Sequence, residues 1–169
     1  MQLERFLNRI DNLSLSVGKL AAFIVIPNVF ALVYEVIARY VFKAPTIWSF
    51  EITYFLYSAH FMLGAAYALK DRSHIRVEVI YSRLSKRTRA IIDSAGYLLF
   101  FFPATIALLI GGFDLVRESI AMGERSGVSS WRPVMWPFRA ILPLGIFFLL
   151  LQGIAEFIRA VPKALGRVK

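Results

Sequence analysis

Cysteine is absent from the 169-residue chain, and histidine occurs only at His60 and His74. The first absence excludes disulfide frameworks, thiolate metal sites and cysteine nucleophiles. The second excludes a bis-histidine haem held between helices, because His74 lies beyond the end of an apolar run and only His60 sits inside one. There is no H-E-x-x-H, no G-x-S-x-G and no P-loop lysine pattern, so the sequence offers no enzyme and no cofactor or metal site.

Charge is missing from long stretches. No Asp, Glu, Lys or Arg occurs in Leu20 to Tyr34, Ile52 to Leu69, Ser94 to Phe113 or Ala140 to Ala155. A soluble domain would scatter its charges so that every element had a wet face, and a disordered chain would not be 58% hydrophobic. An integral membrane protein remains. The windows are continuous apolar runs without period-2 alternation, which excludes a membrane β-barrel. The expected fold is therefore all-α: one four-helix membrane bundle, with spans at about 18–41, 48–69, 93–113 and 137–158, since roughly 20 residues cross the hydrocarbon core. Pro27, Pro103 and Pro143 fall within or near the ends of spans one, three and four, where each removes a backbone donor and can kink the helix.

A formal charge of +9 often signals nucleic acid, but in so apolar a chain it reads as topology. Of the 20 Lys and Arg residues, 14 lie in the N-terminal tail, the connection between spans two and three, and the C-terminus; the other connections hold 6. Both termini are expected in the cytoplasm, and no nucleic-acid partner is expected. The central connection, His74 to Asp93, mixes Ile75, Val79, Ile80 and Leu84 with Arg76, Arg83, Lys86, Arg87 and Arg89. That composition predicts an interfacial amphipathic helix between spans two and three, its basic residues meeting anionic lipid headgroups. The N-terminal tail repeats the pattern with Leu3, Phe6, Leu7 and Ile10 at helical spacing, and Trp131 and Trp136 suit an aromatic belt at the opposite surface.

Ionisable residues in or near the spans are costly enough to draw attention. Glu35 and Arg39 are four residues apart on one helical face, the favourable order for an ion pair. Glu51 opens span two, where a carboxylate complements the positive end of the helix dipole, three residues beyond Trp48. His60 lies on roughly the opposite face from Glu51, so the two form no dyad, and its expected role is a hydrogen bond between helices. Gly64 and Ala68 make a small-xxx-small pair that lets another helix approach. Glu35, Arg39, Trp48, Glu51 and Gly64 are the candidate subunit-interface residues.

The stretch RYVFKAPTIWSFEITYFLYSAHFMLGAAYALKDRSHIRVEV, Arg39 to Val79, resembles the small membrane subunit of tripartite ATP-independent periplasmic (TRAP) transporters. The pattern elements are Arg39, Phe42, Pro45, Trp48, Glu51, Leu63 to Ala66, and His74 to Val77; Ser129 to Gly145 resembles one branch of these subunits. The resemblance implies a chain in the bacterial inner membrane that braces a large membrane subunit, which itself holds the solute and sodium sites. A periplasmic substrate-binding protein would deliver an organic acid, usually a carboxylate. Two rival readings are a self-sufficient small multidrug exporter using Glu35, and the membrane anchor of a respiratory complex.

Overall fold

A computed structural model describes residues 2–71 and 84–166, the side chain of Lys86 excepted. Among the described residues, five α-helices carry the fold: α1 (Gln2–Tyr40), α2 (Ser49–Lys70), α3 (Lys86–Gly96), α4 (Phe102–Ala121) and α5 (Trp136–Ala164). A π-helical turn, Tyr97–Phe101, joins α3 to α4, so that Arg87–Ala121 runs as one 35-residue helix. With α1, α2 and α5 it completes four helices long and apolar enough to cross a membrane, and the described residues contain no β-strand beyond an isolated bridge. The all-α four-span architecture expected from the charge-free windows is the one observed.

The helices exceed the windows because a helix does not stop where the hydrocarbon does. At 1.5 Å per residue, α1 is about 58 Å long, nearly twice the roughly 30 Å of a bilayer core. Pro27 in α1 and Pro143 and Pro162 in α5 lie inside helices, whereas Pro103 sits in the first turn of α4, directly after the π turn. Pro103 has no N–H to offer Leu99, and the turn before it widens so that Phe102 N–H reaches back to Tyr97. Of the expected interfacial segment, residues 72–83 lie outside the described residues. The rest, from Lys86 onward, forms α3, capped by the Ser85 side chain accepting from Thr88 N–H, and continues unbroken into the third span.

α5 is the hub. α2 and α4 pack on either side of it and scarcely touch one another, α3 also lies on it, and α1 packs mainly along α2. The helices therefore stand in the order α1, α2, α5, α4, an open bundle closed at one end where Leu7 and Ile10 of α1 meet Ala155, Leu151 and Ile158 of α5. The interior is made of small side chains. Half of the ten buried hydrophobic residues are alanines (Ala21, Ala38, Ala66, Ala90, Ala155), while Phe23, Phe30, Phe61, Phe100 and Phe113 point outward. Lipid is as apolar as phenylalanine, so large side chains gain little by turning inward, and close helix contact selects small ones. A Cβ on Gly145 would lie 2.7 Å from the Met62 carbonyl oxygen, which fixes how near α5 comes to α2.

Candidate subunit interface

The connection between α1 and α2 folds back around one carboxylate. Glu35 accepts from the Arg39 guanidinium, from the Thr46 hydroxyl and from Thr46 N–H at 3.1 Å. Thr46 Oγ1 accepts in turn from Ser49 N–H at 3.2 Å, and the buried Ser49 hydroxyl donates to the Ala31 carbonyl at 3.0 Å. Tyr34 stacks on Trp48 with ring centroids 5.7 Å apart. The helical pair Glu35 and Arg39 forms as its spacing predicts. Its sequestered member is the glutamate, however: the Glu35 side chain keeps 14% of its surface and Arg39 keeps 52%.

Glu51 lies in the first turn of α2, as its fit to the helix dipole requires, and is 3% exposed. The Ser126 hydroxyl donates to its Oε1, while Oε2 has no hydrogen-bond partner among the described residues. Ser126 belongs to the connection between α4 and α5, which folds as a short hairpin. Ser126 N–H donates to Pro133 O (2.9 Å), Met135 N–H to Glu124 O (3.0 Å), and Glu124 pairs with Arg139. Glu51 thus ties the start of α2 to a hairpin 75 residues away. The same hairpin leaves Trp131 and Val128 exposed, as is Trp136 at the start of α5.

Within the spans, His60 Nδ1 lies 2.8 Å from the Ala21 carbonyl, linking α2 to α1 in the role expected of it. Gly64 faces open space, with nothing within 4 Å of where a Cβ would sit; the close approaches occur instead at Gly18 against Tyr67, Gly112 against Pro143, Gly145 against Met62 and Gly153 against Phe101. At the other end of the molecule a fully buried side chain that charge counting passes over, Gln152, accepts from the Ser14 hydroxyl (2.8 Å) and donates to Asp11 (3.1 Å). Arg159 donates to both Asp11 oxygens (3.1 and 2.6 Å) and to Glu156 (2.7 Å). Of the candidate headgroup contacts, Arg87 is exposed and donates to Ala164 O (3.3 Å), and Arg89 donates to Leu84 O (2.9 Å). Arg76 and Arg83, and the side chain of Lys86, lie outside the described residues.

Among the described residues, no group of three or more histidines, aspartates and glutamates could hold a metal ion. Among the described residues, the side chains of Ser14, Glu35, Glu51, His60, Gln152 and Arg159 connect one element of the chain to another, whereas Ser16, Ser58, Ser94 and Thr105 bond within their own helices. No curated protein matches the chain. The family described as "Tripartite ATP-independent periplasmic transporters, DctQ component" matches residues 29–163, from the last third of α1 to the last turn of α5. Four membrane-length helices, the Arg39 to Val79 pattern and that match over most of the sequence agree: the chain belongs to the DctQ family, the small membrane component of TRAP transporters.

Proposed function

We propose that the chain is the non-catalytic brace of its transporter: it holds the stationary part of a large membrane subunit during sodium-driven uptake of an organic acid delivered by a periplasmic binding protein. The observation that carries this reading is where the polar groups go. Ser14 with Gln152, His60 with Ala21, Glu35 with Thr46 and Glu51 with Ser126 each join two elements of the same chain. Groups committed to internal ties do not line a path for a solute, and a helix scaffold that must stay still while a neighbour moves gains from such ties.

The basic asymmetry of the sequence supports placing both termini in the cytoplasm and the α1–α2 and α4–α5 connections in the periplasm, in a bacterial inner membrane. In that orientation Arg39, Trp48 and Gly64 offer surface to the large subunit, while Glu35 and Glu51 act from within by holding the connections in shape. Arg87 and Arg89 lie at the cytoplasmic headgroup level. Engagement of Glu35 by Arg39 and Thr46 weighs against an exporter that would load protons on that carboxylate.

Co-purification with the large subunit, paired with solute uptake in cells lacking this chain, tests the proposal. The expected result is a stable complex and loss of uptake on deletion. Full uptake without this chain, or no association with the large subunit, would overturn it.

A further inference from the structure

Because α2 and α4 flank α5 without packing on each other, a groove remains between them on the side of the α4–α5 hairpin. Its volume is about 320 Å³, and Met62 of α2, Leu115 of α4, and Ile141 and Leu142 of α5 are among the residues lining it. Arg139, in the first turn of α5, also lines it, at the end nearer the hairpin. We propose that this groove holds one acyl chain of a phospholipid from the leaflet on the hairpin side, with the lipid phosphate on Arg139.

Three observations select that occupant. First, depth: from the level of Arg139 to that of Met62, which abuts Gly145, the groove runs about six residues of α5, or roughly 9 Å, within the thickness of a single leaflet. Second, chemistry changes along it. Apart from Ser58 the part away from Arg139 is apolar, and the cation stands at the hairpin end, in the same first turn of α5 as the half-exposed Trp136. Third, the Arg139 guanidinium is only partly used. One Nη meets Glu124, and among the described residues Nε and the other Nη have no partner. A guanidinium with free donors at headgroup depth fits a phosphate oxygen, which it binds through charge-assisted hydrogen bonds. A neutral or purely apolar occupant would leave those donors unmet. A membrane groove bounded by three helices is also the kind of gap that bulk lipid fills poorly, so a retained chain adds packing where the bundle has none.

The test uses the full chain with its large subunit, in nanodiscs of phosphatidylethanolamine and phosphatidylglycerol that contain a trace of phosphatidylglycerol with a photoactivatable acyl chain. Peptide mass spectrometry reads the labelled positions. The proposal expects labelling concentrated at Met62, Leu115 and Leu142. It should fall several-fold when the groove is filled from either wall, by Leu115→Trp or independently by Ser58→Phe, so that a folding failure of one variant does not decide the matter. Arg139→Gln should lower labelling by about tenfold, the order of one charge-assisted hydrogen bond. It should leave labelling by a photoactivatable diacylglycerol, which lacks phosphate, unchanged, and Glu124→Gln, which frees the arginine, should not reduce the phospholipid signal. Labelling spread evenly along the lipid-facing helices and indifferent to both fillers would overturn the proposal. So would a photocrosslinker at position 115 that captures the large subunit in place of lipid.

Discussion

The two ends of the molecule are held by different kinds of tie. At the end bearing the α1–α2 and α4–α5 connections, three glutamates tie connections to helices: Glu35 of α1 holds the Thr46 turn, Glu51 of α2 the hairpin through Ser126, and Glu124 of the hairpin the start of α5 through Arg139. At the end bearing the termini, Asp11, Ser14, Gln152, Glu156 and Arg159 join the side of α1 to the side of α5, with no loop involved. The first arrangement shapes surfaces, and the second sets how two helices stand against each other. The proposed bracing role would use both, a fixed frame and a fixed face to present.

The contrast can be broken at its base by opening the α2–α5 contact on which both ends depend. Gly145→Leu should cost about 3 kcal/mol or more, because the added side chain meets the Met62 backbone, which cannot step aside. Unfolding of the purified subunit in detergent reads this, and an unchanged midpoint would mean that the helices are not so close. Next in size is the terminal end. Arg159→Met leaves Asp11 and Glu156 without their shared cation and should cost about 2 kcal/mol, below the figure for a fully buried pair because the arginine keeps a quarter of its surface. Spin labels on the terminal ends of α1 and α5 should separate, while hydrogen exchange in residues 122–135 stays as it was.

Ser126→Ala should do the reverse. It removes the one donor that the described residues offer to a buried carboxylate, a loss of about 1–2 kcal/mol, and should speed amide exchange in the hairpin while the α1–α5 distance holds. If both variants loosened both ends equally, the division into frame and face would fail. The smallest effect belongs to Arg39→Ala. Its partner keeps the Thr46 bonds, so the isolated subunit should melt unchanged, and any loss should show only as weaker recovery of the large subunit.

What the sequence made legible follows from what a one-dimensional reading can register. Absence of charge is a local property, and it located four spans. The Glu35 and Arg39 pair was readable because helical spacing alone decides it, and His60 because a lone imidazole in a span needs a neighbouring acceptor. The contact of Glu51 with Ser126 was not, since nothing in either segment records that the hairpin folds over α2. Gln152 escaped because it carries no charge, yet it is the most enclosed polar residue of the interior. Gly64 was singled out for close helix approach by a partner, while Gly18, Gly112, Gly145 and Gly153 make the close contacts inside the chain; glycine is common in membrane helices, and only the packing order tells which of them face a neighbour within the chain. The π turn before Pro103 is a further case: the proline announced a disturbance without saying what form it would take.

The most direct measurement of the central claim is uptake into proteoliposomes under an imposed sodium gradient, with the binding protein outside. Vesicles holding this chain alone should accumulate none of the delivered organic acid, and adding the large subunit should start uptake. Accumulation by the chain on its own, or uptake by the large subunit at full rate without it, would contradict the account.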